Sequence, residues 1–134
     1  MDDSVLLAAL PTEPAATRLA QSAITYGQQA VNRSPHSRRA QIALLRAQFR
    51  HALLSHDAQV MQRVLAQLHA MWSADKRRAT IGHDDAELLM EAIELQPARR
   101  DWAEQAREVV RELQLRGQWQ GDVHLEQWKV KLGA

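Results

Sequence analysis

The sequence predicts an all-α fold, a set of antiparallel helical hairpins arranged as an α-solenoid or as an irregular bundle of five or six helices. Three observations carry this. Every segment of helix length repeats its apolar residues at i and i+3 or i+4, and none alternates with period two. Gly and Pro number 5 and 4 among 134 residues, too few for the turns of a β-sandwich or barrel. With 46% hydrophobic and 25% charged residues, the composition is that of a single helical domain, 1–134, rather than a disordered or fibrous chain.

The elements run in order along the chain. A short apolar segment, residues 5–10, opens it, and Pro11 sets residues 1–11 apart from the helices. Thr12 reads as an N-cap with Pro14 in the first turn. The helix after it carries two apolar stripes, Leu19, Ala23, Tyr26 and Ala30 on one and Ala20, Ile24, Gly27 and Val31 on the other. Two stripes predict a helix covered on two sides. Ser34-Pro35 ends it, because the residue before Pro is pushed out of the helical region. Ser37 caps the second helix, whose stripe is Ile42, Leu45, Phe49 and Leu53 beside small Ala40, Ala43 and Ala47. Ser55-His56-Asp57 reads as a turn and new cap, followed by Met61, Val64, Leu65, Leu68, Met71 and Trp72.

Residues 73–82 are polar around Lys76-Arg77-Arg78 and predict a linker between two hairpin halves, or a frayed helix end. Asp84 and Asp85 then open a fourth helix, where negative charge suits the dipole, with Ala86, Leu89, Met90 and Ile93 facing inward until Pro97. A fifth helix carries Trp102, Ala106, Val109, Val110 and Leu113, and Gly117 is its C-cap. A capping segment, 118–134, ends the chain with Leu125, Trp128 and Leu132 on a short helix.

Two helix ends are alike. Ala30-Val31-Asn32-Arg33-Ser34-Pro35 and Ala92-Ile93-Glu94-Leu95-Gln96-Pro97 both run Ala, β-branched residue, three residues, Pro, and each has an Arg three places on, Arg38 and Arg100. The two Pro lie 62 residues apart, a spacing that fits two helical hairpins. The pattern resembles the tetratricopeptide repeat, a hairpin of ~34 residues. Ala23, Ala30 and Pro35 stand at the family's small, Ala and Pro positions, and Leu89, Ala92 and Pro97 match its later positions in a second copy. Gly27 replaces the usual large aromatic, with Tyr26 beside it, and Asp85 stands where a small residue is usual. The resemblance implies stacked hairpins with a concave surface that binds peptide segments or helices.

Charge is balanced overall, 17 Lys and Arg against 16 Asp and Glu, yet it is segregated. Residues 31–56 hold Arg33, Arg38, Arg39, Arg46 and Arg50 and no acid. Residues 81–98 hold Asp84, Asp85, Glu87, Glu91 and Glu94 and no base. The basic run on the second helix is the predicted partner-binding face: Arg38, Arg39, Arg46 and Arg50, with Gln41 and Gln48 as amide hydrogen-bonders. Its occupant is another protein with an acidic segment. The alternative is a nucleic-acid-binding small subunit using the same arginines, against which stand a net charge of +1 and no aromatic interleaving. The bland alternative is a solvated face paired with the acidic segment of the same chain.

Nothing in the sequence calls for catalysis or a cofactor. Cysteine is absent, the five Gly are scattered, and the six His form no His-Glu-x-x-His motif. His83-Asp84 matches part of a metal-dependent phosphohydrolase pattern, for which His51 and Asp101 or Asp122 would complete a set. Helix capping by His83, Asp84 and Asp85 is the simpler reading, and no metal site is predicted. Trp72 and Trp102 fall on core stripes. Trp119, between Gly117 and Gly121, is either folded back as a cap or an exposed binding anchor. No window approaches the ~18 apolar residues of a membrane span. The acidic start is no secretory signal, so a cytoplasmic protein is expected, a periplasmic or tethered piece being the alternative.

Overall fold

The computed structural model describes residues 13–117 and 119–133. They form six α-helices and, among the described residues, no strand: α1 Glu13–Arg33, α2 Arg38–Ser55, α3 Ala58–Ala74, α4 Ala79–Leu95, α5 Arg100–Arg116 and α6 Val123–Leu132. The all-α prediction holds. The segment 1–11 and the Thr12 cap lie outside the described residues. Internal contacts divide the chain into two compact units, 1–64 and 65–134. The division falls within α3 and not in the stretch 73–82.

In the first unit α1 packs on α2. The intervening turn is closed by Ser37 N–H on the Ser34 carbonyl at 3.0 Å, and Ser37 Oγ caps α2 by accepting from Ala40 N–H at 3.2 Å. Ser37 satisfies a donor that the first helical turn otherwise leaves unpaired. Gly27 is required by closeness: a Cβ there would stand 3.0 Å from Leu44 Cα. Only one of the two apolar stripes on α1 is covered. Ala20 and Gly27 are buried and Ile24 and Val31 half-buried, while Leu19, Ala23 and Tyr26 are exposed. The apolar character of the second stripe predicts cover, but α2 subtends only one side of the helix. His56 ends α2 in the left-handed region at φ 55, and Asp57 Oδ1 then accepts from Val60 N–H at 3.2 Å.

In the second unit α4 packs on α5 and α5 on α6. Trp72, Leu88, Leu89, Val109, Val110 and Leu113 are fully buried. The polar stretch 73–82 is not a linker. α3 continues to Ala74, one turn closes with Arg78 N–H on the Asp75 carbonyl at 3.1 Å, and α4 begins at Ala79. Lys76, Arg77 and Arg78 belong to that turn, and Asp75 Oδ2 accepts from Arg78 Nε at 2.9 Å. Ile81 and Gly82 are buried helical residues. Gly82 is there for packing, since a Cβ would lie 2.6 Å from Trp72 Nε1 and 3.1 Å from Leu113 Cδ2. Asp84 and Asp85 therefore do not open the helix. They sit beyond its first turn, and Arg78 occupies the N-cap without a side-chain cap bond.

The turn at Pro97 repeats the closure at Pro35, with Arg99 N–H on the Gln96 carbonyl at 3.1 Å. Three helices, α2, α3 and α4, separate the two turns, where the spacing suggests two whole hairpins. Helices of 18, 17 and 17 residues with short connections account for the offset. Gly117 caps α5 at φ 66 as predicted.

Candidate functional site

The basic face of α2 is built on the 34–37 turn. Arg38 is half-buried and its Nη1 donates to Gln41 Oε1 at 3.4 Å. Gln41 Nε2 in turn donates to the Pro35 carbonyl at 2.6 Å. These two predicted contact residues brace the start of α2. Arg39 and Arg50 are exposed, and Arg46 and Gln48 are half-buried. Positions 39, 46 and 50 share one side of the helix, beside the buried row Ile42, Leu45 and Phe49. Arg46 and Arg50 are already engaged within the chain.

α1 adds residues that the sequence pattern assigns to the core. Leu19 is 68% and Tyr26 71% exposed, with exposed Ala23 between them. Arg33, also exposed, continues the line, because 19, 26 and 33 are each seven residues apart. The signal that could have revealed this face is the doubled stripe itself: a helix with two apolar sides and one neighbour leaves one side bare.

The second unit holds two titratable clusters. His69 on α3 places Nδ1 2.9 Å from Asp85 Oδ2 on α4, and Asp85 is 0% exposed. Burial pushes the Asp85 carboxyl above its ordinary range, and the His69 bond opposes it. The same hydrogen bond pushes His69 up against the effect of its own burial. Asp85 Oδ1 and Trp72 Nε1 have no hydrogen-bond partner among the described residues. Trp72 lies 5.8 Å from the His69 ring, Lys76 sits 5.0 Å over the indole, and Glu108 on α5 approaches Lys76 at 3.7 Å. The pair is a hydrogen bond between a half-buried imidazole on α3 and a buried carboxyl on α4. Sequence patterning takes Asp85 for a cap and gives no sign of the pairing.

The second cluster fastens the C-terminal segment to α4. The His83 ring lies 4.3 Å from Trp119 and 5.0 Å from Trp128, with Nε2 3.7 Å from Asp122 Oδ2. Trp119 is half-buried and its Nε1 donates to the Ala79 carbonyl at 3.3 Å. Of the two arrangements open to Trp119, this is the folded-back one. Asp122 caps α6 by accepting from Leu125 N–H at 2.9 Å, which with the nearby His83 holds its carboxyl below the usual range. His83, Asp84 and Glu87 each bring a potential ligand atom to within 4.8 Å of the others. Asp84 and Glu87 each take part in an interaction within the chain, and the His83 ring is packed against two indoles.

Comparison with protein-family models, with curated proteins and with solved structures finds no match. Among the described residues no helix is long and apolar enough to cross a membrane.

Proposed function

We propose that the chain is a non-catalytic binding subunit, an adaptor or assembly component of the cytoplasm, that docks a partner protein through the α1–α2 hairpin. One observation carries this reading. From residue 14 to residue 56 the chain holds Arg18, Arg33, Arg38, Arg39, Arg46 and Arg50 and not one acid. Like charges gathered on one hairpin repel and are relieved by an opposite charge brought from outside. Arg46 and Arg50 are engaged within the chain, so the arginines this reading relies on are Arg18, Arg33 and Arg39, all exposed. Arg38 and Gln41 support the surface by fixing the turn on which it rests. The tetratricopeptide-like pattern is compatible with such a role, since hairpin repeats offer extended surfaces.

The test is affinity capture with the tagged full chain, comparing the parent with an Arg33→Glu/Arg39→Glu double variant and identifying captured proteins by mass spectrometry. Partners retained by the parent and lost by the variant support the reading, while an unchanged set overturns it. Nuclease-sensitive capture, with affinity falling steeply as salt rises, would instead assign the hairpin to nucleic acid.

A further inference from the structure

We propose that the outer face of α1, the line of Leu19, Ala23, Tyr26 and Arg33, docks an acidic amphipathic helix of the partner protein. This inference rests on the reading of the α1–α2 hairpin as a docking unit and names the surface and the kind of partner. The sequence pattern assigns the apolar members of this line to the core, and none of the predicted contact residues lies on it.

The apolar groups stand at i, i+4 and i+7, which aligns them in one row along the helix surface. Two large side chains exposed by about seven-tenths and standing two turns apart, with exposed Ala23 between them, leave apolar area in water that a covering element would remove. A second helix is the element that fits such a row, because its own i, i+4 ridge lies in the groove beside it. The described residues contain no strand, so no sheet edge is offered for an extended segment to join. From Leu19 to Arg33 the row runs about 21 Å at the rise of an α-helix, long enough for a partner helix of about four turns.

Charge decides the sign of that partner. Arg18 sits beside Leu19 at one end and Arg33 closes the row at the other, both exposed. Glu13, at the start of α1, is the one acid of that helix, and none occurs between residues 14 and 56. Arg33 also stands in the last turn of α1, where the helix carbonyls favour a cation and hold it in place. A partner helix carrying acids at both ends of its apolar stripe would bury the row and pair both arginines in one geometry. A basic or neutral helix would gain the apolar contact and meet repulsion.

The probe is a labelled synthetic peptide of about 18 residues, five helical turns, with Leu at every third or fourth position and Glu flanking the stripe. Two controls share its length: a scramble of the same composition without an apolar face, and a version with Lys in place of Glu. With the full chain, fluorescence anisotropy should show the acidic amphipathic peptide binding at least about tenfold more tightly than either control. A Leu19→Ser/Tyr26→Ser double variant should lose at least about tenfold in affinity while its thermal melt matches the parent, since both side chains are exposed. Equal binding of the scramble, or unchanged binding by the double variant, overturns the inference. If that equal binding still falls with Arg33→Glu/Arg39→Glu, the hairpin reading survives and only the α1 face is wrong. A parent that sediments as a dimer, and becomes a monomer on Leu19→Ser/Tyr26→Ser, shows that the face takes a second copy and overturns the acidic helix.

Discussion

The two units of the chain handle polar groups in opposite ways. In the first, Arg18, Arg33, Arg39 and Arg50 are exposed, Arg38 and Arg46 are half-buried, and an apolar row on α1 is exposed. In the second, a carboxylate at 0% exposure is paired to a histidine, and an indole, an imidazole and a carboxylate close the C-terminal segment over α4. A buried charge whose partner sits on another helix penalises every register that separates them, so the pair specifies how α3 meets α4. The α1–α2 hairpin relies on shape instead, Gly27 against Leu44, and keeps its chemistry on the surface. The contrast separates a self-contained packing unit from a unit with surface left to offer.

The contrast breaks first in the cores. Leu113 is fully buried between covered elements, and Leu113→Ala should cost about 3–5 kcal/mol by urea unfolding of the full chain. Leu45, at 8% exposure, has room to relax, and Leu45→Ala should cost about 2–3 kcal/mol. Equal costs, or the reverse order, would show that the first unit is as tightly packed as the second.

Gly82→Ala comes next. Helix propensity alone would gain about 1 kcal/mol. The added Cβ, however, would meet the rigid Trp72 ring at 2.6 Å, and overpacking of this kind costs about 1–3 kcal/mol. A net loss of up to about 2 kcal/mol is expected, read as a lower urea midpoint. A stabilised variant would mean that the indole moves aside freely and that this contact does not hold α3 against α4.

The pH dependence sharpens the same comparison. His69 is raised by its bond to Asp85, so its stabilising proton is fully in place below about pH 6.5 and is lost as pH rises through the higher folded value. Asp85 is raised by burial, so the folded chain also holds that proton more tightly, and its contribution declines as pH rises above the ordinary carboxylate range. Both signs agree. Lys76 opposes the His69 shift and Glu108 adds to it. The urea midpoint should therefore fall as pH rises above about 6.5 and through the higher folded value of His69, and Asp85→Asn should flatten that fall. The His69 ring should titrate above about 6.5 by NMR in the parent and lower in Asp85→Asn. A ring that titrates identically in both proteins would dissolve the pair.

Much of this architecture is legible from local chemistry. Ser37, Pro35, Pro97 and Gly117 act through their own backbone or first-turn hydrogen bonds, and each marks the boundary predicted from it. The stretch 73–82 misleads because its polarity reads as a linker, whereas the role of Gly82 is tertiary and shows only once Trp72 is known to lie against it. That one misreading displaces the start of α4 and turns Asp85 into a cap. With the helix begun at Ala79, positions 81, 85, 88, 89 and 92 form one inward stripe and Asp85 stands out as a carboxylate on a core position. The α1 face misleads for a related reason. Periodicity tells which residues share a side, and the number of neighbours decides whether that side is covered. Of the predicted contact residues, Arg39 keeps an open surface position, Arg38 and Gln41 serve the turn, and Trp119 folds inward.

The smallest effect concerns the end of α2. His56 adopts φ 55, the only positive φ among the described non-glycine residues, and its N–H lies 3.4 Å from the Leu53 carbonyl. A side chain in this region meets its own backbone, at a cost of about 1 kcal/mol that glycine avoids. His56 is exposed, so removing its imidazole sacrifices little packing. Glycine also enlarges the freedom of the unfolded chain, which returns part of the gain. The balance for His56→Gly is a stabilisation of about 0.5 kcal/mol, a rise of a degree or a few in the melting temperature. The same replacement at Gly117 in reverse, Gly117→Ala, should lose stability for the same steric reason, because φ 66 there is equally left-handed and nothing lies within 4 Å of the new Cβ. Opposite signs at the two helix ends would establish that backbone conformation alone sets them. A destabilised His56→Gly would show that the imidazole makes a contact that this turn depends on.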